Sequence, residues 1–146
     1  MKIFLDTSSL FKLYHREADT HIIEQIFSTT KVSNIYLSEI TKIEFSSSIW
    51  KKVRTKEISL SEAKVTLQLF DNDFKKYTFI ATDSIIIEQA KNLVTKYGIT
   101  GLRTLDSIQL ATSLSLASVV SLFVTSDNLL KSILSEEGLT TEISNN

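Results

Sequence analysis

Four acidic residues are the strongest candidates for chemistry in this sequence: Asp6, Glu44, Asp106 and Asp127. Carboxylate oxygens are the ligands that Mg²⁺ and Mn²⁺ prefer in proteins. A bound metal ion would turn a water molecule into an attacking hydroxide and would stabilise the charge on a phosphate group. A cluster of like charges is unfavourable unless a divalent cation neutralises it or some members stay protonated. If the fold brings these side chains together, they predict a metal-dependent enzyme that hydrolyses a phosphoester.

Three of these acids have an alternative, structural role at the start of a helix. Asp6 follows an apolar run at Lys2 to Leu5, and Asp127 follows a second such run, so both stand where an N-cap residue would. Asp is a preferred N-cap residue. Asp106 lies in the first turn of a predicted helix that Thr104 could cap, where the helix dipole favours a carboxylate by about 0.3–1 kcal/mol. The sequence leaves both roles open for each aspartate.

Glu44 is harder to explain by helix structure alone. Its predicted helix has an apolar stripe that we expect to be buried, formed by Ile40, Ile43, Ile49, Trp50 and Val53. Glu44 lies one turn after Ile40, at the edge of this stripe, and a carboxylate beside a core needs a partner or a cation. Glu39, on the same helix, is the nearest rival for a functional role. Asp83 also follows a predicted strand and is best interpreted as a helix cap.

The sequence offers few of the residues that other kinds of active site require. The chain has no cysteine, which excludes a thiolate metal site and a Cys nucleophile. The two histidines, His15 and His21, give no recognisable Ser-His-Asp order. The three glycines are isolated, so no phosphate-binding glycine loop is present. An aspartyl-phosphate enzyme would need a second Asp two places after Asp6, where Ser8 stands instead.

Length and composition indicate one globular domain over residues 1–146. The chain is 42% hydrophobic and 23% charged, and no linker or repeat divides it. We see no signal peptide and no apolar run that could span a membrane, so we expect a cytoplasmic protein. The net charge is −1. A nucleic-acid substrate would therefore have to be held by local basic patches and bound cations.

Short apolar runs alternate with stretches of helical periodicity. The predicted strands are Lys2 to Leu5, Ile35 to Leu37, Tyr77 to Ala81, Leu122 to Thr125 and Leu139 to Ile143. The predicted helices are Ser8 to His15, Asp19 to Ser28, Glu39 to Arg54, Ser61 to Lys75, Ser84 to Tyr97, Leu105 to Ala117 and Asn128 to Leu134. This alternation predicts an α/β fold with a mostly parallel central sheet covered on both faces. In such folds the ligand lies beyond the carboxyl ends of the strands.

The candidate acids lie in four short segments: Phe4 to Leu10, Ser38 to Phe45, Leu102 to Thr112 and Phe123 to Asp127. In this order along the chain they resemble the PIN domain, and more narrowly the VapC-like toxins of bacterial and archaeal type II toxin–antitoxin pairs. Each motif is short, but all four occur in the family's order and spacing, and the resemblance extends over essentially the whole chain. Two positions depart from the family pattern: Gln109 stands where such toxins often have His, and Glu17-Ala18-Asp19 stands where they often have Pro-Gly.

The resemblance implies a three-layer α/β/α fold in which the first and fourth strands are neighbours, which would bring Asp6 and Asp127 together. It implies a site for one or two Mg²⁺ or Mn²⁺ ions. Asp6 and Asp106 are then the surest metal ligands, Glu44 is a ligand or orients the attacking water, and Asp127 completes the set. Ser8 is a candidate to hold a metal-bound water.

The same resemblance implies an endoribonuclease acting on a structured RNA such as tRNA or rRNA. It also implies a homodimer and a small VapB-like antitoxin whose C-terminal segment covers the site. Two alternatives from other classes stay open. One is a non-catalytic PIN-like module that only binds RNA or a protein, and the other is a metal-dependent phosphatase or receiver-like domain.

Basic residues near the predicted site are candidates for RNA binding: Lys51, Lys52, Arg54 and Arg103, with Lys12 as a further one. The first three end the helix that carries Glu44, where cations also interact favourably with the helix dipole. A solvated helix end is therefore the alternative interpretation. The aromatic residues are expected in the core or a subunit interface rather than in base stacking: Phe11, Tyr14, Phe27, Trp50, Phe70 and Phe74.

Overall fold

Four short parallel strands form a sheet at the centre of the molecule. The computed structural model describes residues 1–143. The strands are β1 (Lys2–Leu5), β2 (Asn34–Ser38), β3 (Tyr77–Ile80) and β4 (Leu122–Val124), in the spatial order β3-β2-β1-β4. All of their pairings are parallel. The chain adds β2 and β3 on one side of β1 and then crosses to add β4 on the other, so the strand order reverses between β1 and β4. A ligand site is expected at that point.

Helices connect the strands and cover the sheet. In the described residues they are α1 (Thr7–Phe11), α2 (Thr20–Thr29), α3 (Thr41–Arg54), α4 (Leu60–Asn72), α5 (Ser84–Tyr97), α6 (Thr104–Ser115) and α7 (Asn128–Glu136). Local sequence determines where several of these helices begin. Ser59 and Glu62 form a capping box at α4. The Asp83 side chain accepts a hydrogen bond from the backbone N–H of Ile86 at 3.0 Å, which confirms that Asp83 caps α5.

Two hydrophobic cores lie on opposite faces of the sheet, because side chains alternate between the faces of a strand. One core packs Phe4 and Phe123 against α5, α6 and α7, with Ala90, Leu93, Leu110, Leu130 and Ile133. The other packs Ile3, Leu5 and Leu122 against α1 to α4, with Leu10, Ile23, Phe45, Ile49 and Phe70. The layers are therefore helix, sheet and helix, and the predicted α/β class with a parallel sheet is confirmed.

The buried face of α3 differs from the predicted stripe. Ile43 and Trp50 are 72% and 38% exposed, so placing them in the core was wrong. The fully buried line runs through Thr41, Phe45 and Ile49, which are four residues apart and share one side of the helix. Ile43 is two residues from Phe45, about 200° around the helix, and therefore points away from the sheet.

Several predicted boundaries were also wrong. Leu139 to Ile143 is not a strand, because a single backbone hydrogen bond joins it to β4, from the N–H of Phe123 to the carbonyl of Thr140 at 2.9 Å. The first helix ends at Phe11 instead of His15 and continues as two tighter turns. The helix predicted to reach Lys75 ends at Asn72 and is followed by a 3₁₀ turn. Helix ends commonly tighten in this way.

Aromatic residues are mostly in the core, as expected. Phe11 and Phe70 are buried, and Tyr14 and Phe74 pack against the same core, whereas Phe27 is 36% exposed. Within residues 1–143, no helix combines the length and apolar character needed to cross a lipid bilayer.

Truncation of Phe45 should strongly destabilise the protein. Its ring is fully buried and lies 4.3 Å from the centre of the Phe70 ring and 5.6 Å from that of Phe11. We expect Phe45→Ala to lower the free energy of unfolding by about 3–5 kcal/mol in urea denaturation. Ile43→Ala, on the exposed side of the same helix, should change it by about 0.5 kcal/mol or less. Comparable losses in both variants would contradict this account of α3.

Candidate active site

One open cavity of about 500 Å³ lies beyond the carboxyl ends of β1 and β4, and all four predicted acids line it. Asp6 follows β1 directly, and Asp127 stands three residues after β4. Glu44 enters from α3, in the helix layer on one face of the sheet, and Asp106 enters from α6 on the other face. Seven acidic residues and three lysines line the cavity, so its wall is negatively charged overall. An anionic substrate needs cations to enter it.

Asp6 is buried and held on both carboxylate oxygens. Its Oδ1 accepts hydrogen bonds from the backbone N–H of Ser9 at 2.9 Å and from the Ser8 hydroxyl at 2.8 Å. Its Oδ2 accepts one from the hydroxyl of Thr125, just after β4. The first of these bonds makes Asp6 the N-cap of α1. The capping role and the place in the cavity are therefore compatible, and Ser8 contacts Asp6 itself.

Asp127 and Asp106 are held less tightly. Asp127 caps α7, because its Oδ1 accepts a hydrogen bond from the backbone N–H of Leu130 at 2.8 Å. Thr104 does not cap α6: the N-cap is Arg103, and no side chain caps this end. The nearest cation to Asp106 is Arg103, whose Nε lies 3.9 Å from Asp106 Oδ2 while its own side chain is 85% exposed. At that distance and exposure the ion pair restrains Asp106 weakly.

Glu44 is fixed through one of its two oxygens. Its Oε1 accepts hydrogen bonds from the Thr7 hydroxyl and from Nε2 of Gln109, both at 2.8 Å. Thr41, one turn earlier on α3, lies 3.0 Å from the Thr7 hydroxyl and 3.1 Å from Gln109 Nε2. The partner that a carboxylate beside the core requires is thus a buried set of hydroxyl and amide groups.

Burial, with repulsion from neighbouring charges at Glu44 and Asp106, disfavours ionisation of Asp6, Glu44 and Asp106. Burial raises the pKa of Asp6 above its usual value, against the opposing hydrogen bonds from Thr125, Ser9 and Ser8. Burial also raises the pKa of Glu44, and the charges of Asp6 and Asp106 add to the effect. The pKa of Asp106 is raised by burial and then by the charge of Asp127, which outweigh the nearby Arg103. Burial of carboxylates, with like charges near two of them, produces this pattern.

The oxygen donors of the cavity fit a divalent cation, although they do not form a ready three-ligand group. Among residues 1–143, no three His, Cys, Asp or Glu side chains stand close enough to hold one metal ion as they are placed. Oε2 of Glu44 and the oxygens of Asp106 accept no hydrogen bond from the described residues and are free to take a ligand. Hard cations prefer such oxygens. The Mg²⁺ or Mn²⁺ site stays a prediction.

The basic residues fall into two groups. Lys51 and Lys52 line the same cavity, and Lys52 also pairs with Glu57 at 2.7 Å. Arg54 is exposed and lies outside the cavity lining, while Arg103 stands beside Asp106.

Lys12 and Glu39, the two other candidates from the sequence, have different positions relative to the cavity. Lys12 is buried, with its ammonium 2.9 Å from Asp19 and in contact with the Ser126 hydroxyl, so it is a structural cation of the cavity wall. Glu39, the rival of Glu44, is exposed and does not line the cavity.

Sequence reasoning missed the polar residues that hold the acids: Thr7, Thr41, Thr125 and the role of Gln109. A signal for two of them was present in the spacing. Gln109 lies three residues after Asp106 on α6, and Thr41 lies three residues before Glu44 on α3, so each pair shares a helix face. The pairings between helices could not be read in this way, because they join residues far apart in the chain.

A family model for the PIN domain matches residues 3–133, from β1 into α7. The chain belongs to the PIN domain family. The matched region contains the four acids and the four segments that carried the resemblance in the sequence. A sequence search of the curated proteins finds no match.

Solved structures with this PIN fold include toxin–antitoxin proteins. VapC20 of Mycobacterium tuberculosis, a toxin that cleaves the sarcin-ricin loop, is 14% identical with a TM-score of 0.72, over 97% of this chain and 99% of that chain. FitAcB from Neisseria gonorrhoeae is 14% identical with a TM-score of 0.69, over 96% of each chain. VapBC2 from Rickettsia felis, bound to a DNA fragment from its promoter, is 15% identical with a TM-score of 0.62. The match covers 97% of this chain and 98% of that chain. The PIN-like α/β/α fold expected from the sequence is therefore confirmed over nearly the whole length of the chain.

Replacement of Asp106 by Asn should stabilise the metal-free protein, and the gain should grow as the pH rises. Because its pKa is raised on folding, the folded state holds the proton to higher pH than the unfolded chain, and stability falls as pH rises above the usual aspartate value of 3.8. In a chelating buffer, Asp106→Asn and wild type should unfold at similar urea concentrations below that pH. The variant should become progressively more stable than wild type toward neutral pH. Glu39→Gln, outside the cavity, should show no such gain. An Asp106→Asn protein less stable than wild type at pH 7 would contradict a cost of ionising Asp106 in the folded protein.

Proposed function

We propose that this PIN domain is a metal-dependent endoribonuclease and the toxin of a type II toxin–antitoxin pair. The observation that carries the proposal is the convergence of Asp6, Glu44, Asp106 and Asp127 on one cavity at the point where the strand order reverses. The toxins among the structures with this fold support the class of activity, since VapC20 is a toxin that cleaves the sarcin-ricin loop. A structured RNA such as tRNA or rRNA is the proposed substrate, and the cytoplasm is then the proposed place of action.

The residues that would hold Mg²⁺ or Mn²⁺ are Asp6, Glu44, Asp106 and Asp127. The ion would supply a nucleophilic hydroxide near neutral pH and neutralise charge on the phosphodiester and its leaving oxygen. The chain's own part is to keep the ligands in place. Asp6 is held through two hydrogen bonds from α1 and one from Thr125 just after β4, and Asp127 is held as the cap of α7.

The rim of the cavity is proposed to guide the RNA backbone. Lys51 and Lys52 stand on the wall formed by the end of α3, and Arg54 and Arg103 lie nearby in exposed positions. These cations would offset the negative wall by binding phosphates on either side of the cleaved bond.

The proposed partners are a VapB-like antitoxin and a second copy of this chain. Support comes from the similar solved structures, which include a toxin–antitoxin complex from Klebsiella pneumoniae, 18% identical with a TM-score of 0.60 over 86% of each chain. The antitoxin is proposed to cover the cavity with its C-terminal segment.

Replacement of Asp6 by Asn should abolish RNA cleavage without unfolding the protein. Asn keeps an oxygen for the N–H of Ser9 and is itself a good N-cap residue, so α1 should persist. The lost ligand charge should lower the cleavage rate by at least about 100-fold, since removing even an outer-shell partner of a metal costs about 10–100-fold. The measurement is cleavage of total RNA with added Mg²⁺ or Mn²⁺, with circular dichroism as the check on folding.

The matched control is Glu39→Gln, an exposed acid outside the cavity, which should cleave like wild type. Full activity of folded Asp6→Asn would overturn the proposed site. Binding of RNA without cleavage by the wild type would indicate a non-catalytic module. Hydrolysis of a small phosphoester, with RNA left intact, would indicate a phosphatase.

Removal of the rim cations should weaken RNA binding and flatten its salt dependence. Each phosphate contact to a single strand contributes about 0.7 to the slope of log affinity against log salt concentration. The triple variant Lys51→Ala, Lys52→Ala, Arg54→Ala should therefore lose about 2 units of slope in fluorescence anisotropy. A control with Lys64→Ala and Lys91→Ala, which are exposed and do not line the cavity, should keep the wild-type slope. An unchanged slope in the triple variant would exclude this role.

A further inference from the structure

Gln109 is a buried polar residue that the proposed chemistry does not use. It lies on α6 one turn after Asp106, and only 3% of its surface is exposed. Burial of an amide without hydrogen bonds is costly, so its place in the core needs an explanation. Its neighbours are Glu44, Thr7 and Thr41, from two helices on the other side of the cavity floor.

In the side-chain amide of Gln109, only the nitrogen has hydrogen-bond partners among the described residues. Its Nε2 lies 2.8 Å from Glu44 Oε1, 3.1 Å from the Thr7 hydroxyl and 3.1 Å from the Thr41 hydroxyl. Its Oε1 is buried and has no hydrogen-bond partner among the described residues. An ionised carboxylate only accepts hydrogen bonds, so the NH₂ end must face Glu44, and the reverse orientation would set two oxygens against each other.

The protons of this group can be assigned without conflict. One hydrogen of the Gln109 amide goes to Glu44 Oε1 and the other to the Thr41 hydroxyl. Thr41 then donates to Thr7, 3.0 Å away, and Thr7 donates to Glu44 Oε1 at 2.8 Å. Every donor in the group has an acceptor, and the chain of hydrogen bonds ends on one oxygen of Glu44. Oε2 of the same carboxylate is left without a partner in the described residues.

We infer that Gln109 and Thr7 are positioning residues that hold Glu44 by Oε1 so that Oε2 faces the cavity for a divalent cation. This inference rests on the proposed metal-dependent function. A carboxylate fixed in one orientation binds a cation more tightly than a freely rotating one, because less side-chain entropy is lost on binding. The group also links α1, α3 and α6, and it thereby couples the two helix layers at the site.

The test compares Mn²⁺ affinity, measured by calorimetry and by electron paramagnetic resonance, across matched variants. Thr7→Val keeps the shape of the side chain, and Gln109→Leu keeps a side chain of similar bulk; both remove the donor. Each should weaken Mn²⁺ binding by about 10–100-fold. Thr7→Ser, which keeps the hydroxyl, should bind Mn²⁺ more tightly than Thr7→Val. Thr112→Val is the control for burial, because Thr112 is fully buried on the same helix and its hydroxyl, among the described residues, bonds only to the carbonyl of Ile108.

A double-mutant comparison shows whether the effect passes through Glu44. In a Glu44→Gln background, Gln109→Leu should cause little further loss of Mn²⁺ affinity, because its partner charge is already gone. An equal loss in both backgrounds, or wild-type affinity in folded Gln109→Leu and Thr7→Val, would overturn the positioning role. If Gln109→Leu fails to fold, equal Mn²⁺ affinities of Thr7→Val and Thr7→Ser would overturn it instead. A wild-type protein that binds no Mn²⁺, or binds it and leaves RNA intact, refutes the proposed function.

Discussion

Burial of carboxylates close to one another in a single cavity is the constraint on which the rest of this site depends. Burial alone raises the pKa of Asp6, Glu44 and Asp106, and the neighbouring charges raise the last two further. The fold tolerates this arrangement by giving three of the acids hydrogen-bond donors from the protein: backbone N–H groups, hydroxyls and one amide. Among the described residues, Asp106 has no such donor and stands only near an exposed arginine. The site therefore combines three fixed acids with one that is weakly restrained.

The order of the strands in the sheet brings Asp6 and Asp127 together. Strands β1 and β4 are far apart in the chain but adjacent in the sheet, so the residues after them meet at one edge. The same residues start helices α1 and α7, and one oxygen of each aspartate serves as the cap. A structural role and a place in the cavity thus coincide in Asp6 and Asp127. This coincidence explains why neither interpretation could be rejected from the sequence.

The periodicity of the chain predicted most elements and their order, and its failures have specific causes. Ile43 and Trp50 are apolar, but α3 turns them away from the sheet because Phe45 and Ile49 fix the opposite face. The segment Leu139 to Ile143 has the composition of a strand and forms one backbone hydrogen bond with β4 instead of a ladder. In the first case the packing of neighbouring residues decides which apolar side chains reach the core. In the second, Leu139 and Ile143 pack against the two cores without forming a strand ladder.

The sequence by itself determined the family, the α/β class and the four acids, because these depend on local periodicity and on short motifs in a fixed order. Only the tertiary structure decided how the acids are held. The bonds of Thr125 with Asp6 and of Gln109 with Glu44 join residues 119 and 65 positions apart. No local pattern encodes which donor will meet which oxygen across two helix layers, since that choice follows from how the helices pack on the sheet.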